Sequence, residues 1–190
     1  MAHIAVFIGS VRVNRHADKV AHWVERALKE RGHTVTVVDP LEYDELLVMK
    51  RMFTSEKKPN EKWSVLRNSI ISADGYVLVT PEYNHSYSGA IKNALDVFLE
   101  EYYFKPFSII SYSAGGFGGI RAAEHLRAVI SELGGVSTPI ALSISRVQEL
   151  FSDDGSLKDS SYTSRLEKML GEFEWYVAAL KSARKKGVPY

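Results

Sequence analysis

The sequence predicts an α/β fold in which a parallel sheet carries helices on both faces. Two observations predict it. Five short apolar runs alternate along the chain with five longer segments whose apolar residues recur at helical spacing. The apolar runs show little polar alternation, which is typical of strands buried on both faces. Strands that alternate with helices pair in parallel through right-handed crossovers, so residues 1–190 are expected to form a single domain.

The first half of the chain opens with a strand over residues 4–8. A helix follows between residues 17 and 28, and Gly32 is expected to be its C′ residue. A second strand covers residues 34–38. Periodicity is then lost over residues 41–60, whereas most connections in compact domains have about 4–6 residues. Such a connection is equally typical of a lid or interface segment and of a surface loop.

The second half continues the alternation of helix and strand and ends in a long helix. Its elements are expected as a helix around 66–73, a strand over 76–80, a helix over 91–98, a strand over 107–111, a helix over 123–133, a weaker strand between 136 and 144, and a helix over 166–180. Five strands in this alternation fit the strand order 2-1-3-4-5, a flavodoxin-like three-layer sandwich.

The composition narrows the class of function. With 45% hydrophobic and 25% charged residues, the chain resembles an ordinary soluble globular protein. Its formal charge of +1 gives no reason to expect a nucleic-acid or membrane partner. The absence of cysteine excludes disulfides, cysteine-ligated metals and thiol catalysis. A strand so close to the start leaves no room for a signal peptide, and a cytoplasmic location is expected. The basic residues Lys181, Arg184, Lys185 and Lys186 are expected to form a solvated helix end.

The first loop, residues 9–16, follows the first strand and precedes a helix. Its glycine allows close backbone approach, Ser10 and Asn14 offer neutral hydrogen bonds, and Arg12 and Arg15 offer positive charge. This composition at a helix amino terminus is typical of an anion site, although a turn with incidental arginines would have the same residues. It matches neither a P-loop nor the Rossmann glycine pattern.

The second loop, residues 81–86, follows the third strand. Tyr83, Asn84 and Ser86 bring an aromatic ring, an amide and a hydroxyl together, as suits a flat ligand with hydrogen-bonding edges. Taken alone, the segment is more typical of a proline-initiated turn with Asn84 as a helix cap. At the carboxyl edge of an open α/β sheet, however, it lies where such sheets bind ligands.

The third loop, residues 113–119, follows the fourth strand and contains four glycines that allow a ligand close to the backbone. In the predicted order the strands before the three loops are neighbours, so the loops share one edge of the sheet. The loops resemble those of the NAD(P)H-dependent FMN reductase family, which includes quinone, azo-dye and chromate reductases. The matching pieces are Gly9-Ser10-x-Arg12, Pro81-Glu82-Tyr83-Asn84-x-Ser86, Gly89 with Lys92-Asn93-Ala94-Leu95-Asp96, and Ser113 to Gly119.

The resemblance implies bound FMN, NADPH or NADH as electron donor, a small acceptor such as a flavin, quinone or azo compound, and a homodimer or homotetramer. Ser10 and Arg12 would bind the phosphate and Pro81 to Asn84 would line the isoalloxazine ring. Arg15 stands where the family often has serine, and would bind the phosphate or face solvent beside the nicotinamide nucleotide. The implied cofactor-binding set is Ser10, Arg12, Arg15, His16, Pro81, Glu82, Tyr83, Asn84, His85, Ser86, Ser113, Ala114, Gly115 and Gly116.

No catalytic or metal-ligating residue is expected, because a flavin itself supplies the hydride chemistry and the six histidines lack ligand spacing. A serine hydrolase is rejected. The segment around Ser113 lacks the leading glycine of a nucleophile elbow, and its only later histidine, His125, lies in the following helix. The remaining alternative is a flavin-binding electron carrier or redox-sensing protein. A nearly neutral chain favours the enzyme, since flavodoxin carriers tend to be strongly acidic.

Overall fold

The computed structural model describes residues 1–48, 61–152 and 155–190. Its sheet has six parallel strands: β1 (His3–Ile8), β2 (Thr34–Val38), β3 (Gly75–Pro81), β4 (Pro106–Tyr112), β5 (Val136–Ser137) and β6 (Leu142–Ile144). The helices are α1 (Ala17–Glu30), α2 (Asp44–Leu47), α3 (Glu61–Ser72), α4 (Gly89–Asp96), α5 (Ile120–Glu132), α6 (Val147–Leu150) and α7 (Ser161–Arg184), with short 3-10 turns at Pro40–Glu42 and Glu100–Tyr102.

The strand order is β2-β1-β3-β4-β5, which confirms the predicted flavodoxin-like sheet. The predicted fifth strand is a pair of short strands, since β5 and β6 both pair with β4. Pro139 lies between them, and a proline has no N–H for the ladder, so the strand breaks there. No described helix is long and apolar enough to cross a membrane.

Two apolar cores lie on opposite faces of the sheet. One contains the buried side chains of α1 and α7, and the other contains those of α3, α4 and α5. Gly32 has a positive φ of 84° just after α1, as expected of a C′ residue. Within the predicted 41–60 connection, the described part forms α2 and buries Leu46, while residues 49–60 lie outside the described residues.

The amino-terminal edge of the sheet holds a buried lysine. The Lys105 ammonium donates to the Ile71 carbonyl at 2.7 Å, at the end of α3, and lies 3.2 Å from the Tyr76 hydroxyl. Nearby, Lys181 binds Asp74 at 2.6 Å and Arg184 is 3.5 Å from the same carboxylate. Two of the four basic residues expected to be solvated therefore form ion pairs.

Burial, together with the charge of Arg184, lowers the pKa of Lys105 from 10.5 to about 8, although the carboxylates of Asp74 and Glu101 act in the opposite direction. Between these values the unfolded chain binds a proton that the folded protein has lost. The free energy of unfolding should therefore rise from pH 8 to pH 10, by about 1 kcal/mol per pH unit from this group. Urea unfolding of the unchanged protein and of Lys105→Met at both pH values tests it. The free energy of unfolding of the variant should lack this rise between pH 8 and pH 10. An equal dependence of the unfolding free energy on pH in the two proteins would contradict the prediction.

Candidate functional site

A cleft of about 300 Å³ opens at the carboxyl edge of the sheet, where the first, second and third loops meet. Its volume is within the range of small-molecule sites. Gly9 holds the start of the first loop against β3, because its N–H donates to the Val79 carbonyl at 2.7 Å. The cleft is lined by Ser10, Arg12, Val13, Asn14, Arg15, His16, Pro81, Glu82, Tyr83, Tyr112, Ser113, Ala114 and Val147.

The backbone of the first loop presents a run of free donors. No backbone carbonyl among the described residues accepts from the N–H groups of residues 11–16, and only Arg12 N reaches a side chain, the Ser10 hydroxyl at 3.4 Å. Asn14 has a positive φ of 56°, and His16 makes no side-chain cap at the start of α1. Successive free N–H groups at a helix amino terminus form a cradle for an anion.

The buried side chain of Arg15 stabilises the first loop through hydrogen bonds and ion pairs. Its guanidinium donates to the Ser10 carbonyl at 2.6 Å and to Asp39 at 2.9 Å, and it also pairs with Asp18. Its side chain is only 9% exposed. Burial lowers the pKa of Arg15, but the contacts with Asp39 and Asp18 raise it more, so the group stays charged. The charge of Arg15 is therefore matched by Asp39 and Asp18, and its side chain does not face solvent as one of the two expectations had it. Its contact with the phosphate stays a prediction.

Arg12, by contrast, is exposed and has no ion pair with any described residue. Its guanidinium carbon lies 3.9 Å from the centre of the Tyr83 ring, in a cation–π contact. The Tyr83 hydroxyl lies 3.0 Å from the hydroxyl of Ser10, which is 1% exposed. The side chain of Tyr83 therefore reaches back from the second loop to the first.

A third hydroxyl group belongs to the floor of the cleft. Tyr112, the last residue of β4, is buried and faces Ser10 and Tyr83. Burial raises the pKa of the Tyr112 hydroxyl, and the neighbouring Tyr83 adds to this effect. The phenol therefore stays protonated at neutral pH and can donate a hydrogen bond.

The second loop is a tight turn. Tyr83 and Ser86 exchange backbone hydrogen bonds of 2.8 and 3.1 Å, and Asn84 and His85 between them both have positive φ, at 51° and 71°. Two central residues with positive φ are the signature of a type I′ turn. The helix cap is Ser88, whose hydroxyl accepts from the Ile91 N–H at 3.2 Å. The alternative of Asn84 as the cap is therefore wrong.

An ion pair ties the second loop to α5. The Glu82 carboxylate accepts from the Arg121 side chain at 2.8 Å and from the Arg121 backbone N–H at 3.2 Å. The Glu82 N–H in turn donates to the Tyr112 carbonyl at 2.9 Å. Glu82 thus fixes the wall of the cleft between β3 and β4.

The third loop is held by the segment that follows β6. The Val147 N–H donates to the Ser113 carbonyl and the Arg146 N–H donates to the Gly115 carbonyl, both at 3.1 Å. Gly119 is required by packing, since a Cβ there would lie 2.8 Å from the Tyr112 nitrogen. Gly115 and Gly116 have open space at that position. Only the latter two could admit a ligand close to the backbone.

Nine of the fourteen predicted cofactor residues line the cleft. Of the others, Ser86 is 3.0 Å from His125 on α5, and the remaining four are exposed. The five residues outside the lining are Asn84, His85, Ser86, Gly115 and Gly116. Among residues 1–48, 61–152 and 155–190, no group of three or more histidine and acidic side chains could hold a metal ion.

Four residues of the cleft lining lie outside the predicted cofactor-binding set: Val13 and Asn14, which belong to the predicted first loop, and Tyr112 and Val147, which belong to none of the three loops. Tyr112 could have been found, because the apolar run of the fourth strand continues into it. Val147 carried no such signal. It reaches the cleft because Arg146 adopts a left-handed backbone with φ of 47°, which no local pattern indicates.

Comparison with known proteins finds a match to the family model described as NADPH-dependent FMN reductase over residues 2–149. The chain is 34% identical over 179 residues to an NAD(P)H-dependent FMN reductase of a Nectria species, covering 85% of this chain and 86% of the relative. It is 32% identical over 165 residues to a quinone reductase of Pseudomonas putida, covering 83% and 86%. The structure of the Paracoccus denitrificans flavoenzyme FerB superposes with a TM-score of 0.69 at 24% identity, covering 96% of this chain and 98% of that one.

Proposed function

This chain belongs to the NADPH-dependent FMN reductase family, and we propose that its cleft holds FMN with the phosphate in the first loop. The protein is an FMN-dependent oxidoreductase that takes electrons from NADH or NADPH. The single observation that carries the placement is that no described backbone carbonyl accepts from the N–H groups of residues 11–16, beside the exposed Arg12 guanidinium. A phosphate dianion needs such donors and an unmatched positive charge.

The residues of the cleft fit this cofactor in their chemistry. FMN, when bound, supplies the hydride transfer between donor and acceptor. Arg12 and the first loop's N–H groups would bind its phosphate, while Arg15 keeps the Ser10 carbonyl turned away from that anion. The peptide plane then directs the following N–H to the opposite side. Pro81 and Val147 would supply apolar wall that excludes water.

We further propose that the electron donor and the acceptor use the cleft in turn, which gives ping-pong kinetics. A quinone, free flavin or azo compound is the proposed class of acceptor, because the P. putida relative is a quinone reductase and the family resemblance includes the other two. The cytoplasmic location, the single domain over residues 1–190 and the homodimer or homotetramer stay predictions.

The purified protein loaded with FMN tests the activity. With NADH or NADPH and a soluble benzoquinone, we expect steady oxidation of the nicotinamide nucleotide and parallel lines when reciprocal initial rates are plotted at several quinone concentrations. Intersecting lines would contradict alternating use of one cleft. A protein that binds FMN and yet oxidises neither nucleotide with any acceptor would instead be an electron carrier.

A further inference from the structure

We infer that Tyr83 determines the preference of this protein for FMN over riboflavin, by holding Arg12 in position for the phosphate. The inference rests on the proposed function and deepens it. Tyr83 belongs to the second loop, whereas the proposed position of the phosphate is against the first loop. The inference therefore gives a second-loop side chain a role in selecting a flavin that carries a phosphate.

The geometry of Tyr83 supports a positioning role. Its side chain contacts the first loop twice. The centre of the ring lies 3.9 Å from the guanidinium carbon of Arg12, and the phenol hydroxyl lies 3.0 Å from the hydroxyl of Ser10. Its backbone is fixed by the paired hydrogen bonds to Ser86. A ring anchored at its backbone and at its hydroxyl is a rigid platform for a flexible cation.

The charges around the cleft leave Arg12 without an ionic partner among the described residues. The acidic groups that line or flank the cleft are already paired, Asp39 with Arg15 and Glu82 with Arg121. Arg12 makes no ion pair within the part of the chain that the structure describes. The ring of Tyr83 is therefore the described contact that restricts its guanidinium.

Restricting Arg12 before the ligand arrives should favour the flavin that carries a phosphate. A free arginine side chain loses rotamer freedom when it binds an anion, and a stacked one loses less. Riboflavin lacks the phosphate, so its affinity should not depend on where Arg12 lies. Loss of the platform should consequently reduce the ratio of the two affinities.

The test is a set of equilibrium titrations of apoprotein with FMN and with riboflavin, followed by quenching of flavin fluorescence. We expect Tyr83→Leu to weaken FMN binding about tenfold and to leave riboflavin binding within about twofold. Tyr83→Phe keeps the ring and should lose less. In an Arg12→Ala background, Tyr83→Leu should have little further effect on the ratio, because its partner is gone.

Tyr87→Phe is the matched control for Tyr83→Phe, since it removes a phenol hydroxyl from a nearby ring that packs against the core of α3, α4 and α5, whereas Arg12 contacts the Tyr83 ring. Equal losses for FMN and riboflavin in Tyr83→Leu would overturn the inference and make Tyr83 a ring contact. The same loss with and without Arg12 would also overturn it. If Tyr83→Leu fails to fold, Tyr83→Phe supplies the test. A preference for FMN over riboflavin that is stronger in Tyr83→Phe than in the unchanged protein would overturn the inference. Failure of the unchanged protein to bind FMN would overturn the proposed function as well.

Discussion

Replacing Arg12 by alanine should weaken FMN binding by an order of magnitude or more and leave the folded structure intact. Arg12 is exposed and unpaired, so its removal disturbs no internal ion pair in the described chain. A hydrogen bond between charged groups contributes about 1.5–3 kcal/mol, and 1.4 kcal/mol is about a factor of ten in affinity. Isothermal titration of the apoprotein with FMN measures the loss directly.

Salt gives a second readout of the same contact. Raising the ionic strength screens the attraction between Arg12 and a phosphate, so the affinity of the unchanged protein should fall more steeply with salt than that of Arg12→Ala. Arg26→Ala is the matched control, an exposed arginine on the outer side of α1 away from the cleft lining. Unchanged FMN affinity in Arg12→Ala would rule out its phosphate role.

Gly9→Ala should affect stability and flavin binding together. A Cβ at this position would lie 2.6 Å from the Val79 carbonyl oxygen and 3.1 Å from the Thr80 Cα, both backbone atoms that cannot rotate away. The Ser88 hydroxyl also donates to the Gly9 carbonyl, so the first loop would have to move away from β3 and from the start of α4. We expect a loss of about 2–3 kcal/mol in the free energy of unfolding and weaker FMN binding.

The control for this change is Gly89→Ala, at the exposed first position of α4. A Cβ there meets nothing within 4 Å, and alanine restricts the unfolded chain, so stability should hold or rise slightly. Urea unfolding and FMN titration of both variants make the comparison. Wild-type stability in Gly9→Ala would contradict the prediction, because it would show that the backbone around Gly9 can move to accommodate a Cβ.

The sequence predicts most of the fold and the sheet edge at which the candidate site lies, because both depend on local patterns. Alternating strands and helices give the strand order, and the composition of the first loop gives the anion cradle. The pairing of Arg15 with Asp39 depends instead on two strands that lie side by side. Asp39 directly follows β2, which lies beside β1 and the first loop. The predicted strand order therefore placed Asp39 near Arg15, although residue composition alone did not.

Other features of the site depend on contacts between distant parts of the chain. Tyr83 lies in the second loop, and its hydroxyl lies 3.0 Å from the hydroxyl of Ser10 in the first loop. The two residues are 73 positions apart in the sequence, so only the fold brings them together. Val147 reaches the cleft only after the predicted fifth strand breaks at Pro139 and Arg146 turns left-handed. Such placements require the tertiary structure, since neither periodicity nor composition indicates them.

The central claim is that the cleft holds FMN with its phosphate against residues 11–16. The most direct measurement is the flavin content of the protein as purified, released by denaturation and identified by chromatography. The account predicts a yellow protein that releases FMN and no FAD, and whose colourless apoprotein takes up added FMN in preference to riboflavin. A colourless protein that ignores added FMN would contradict it, as would equal affinity for the two flavins.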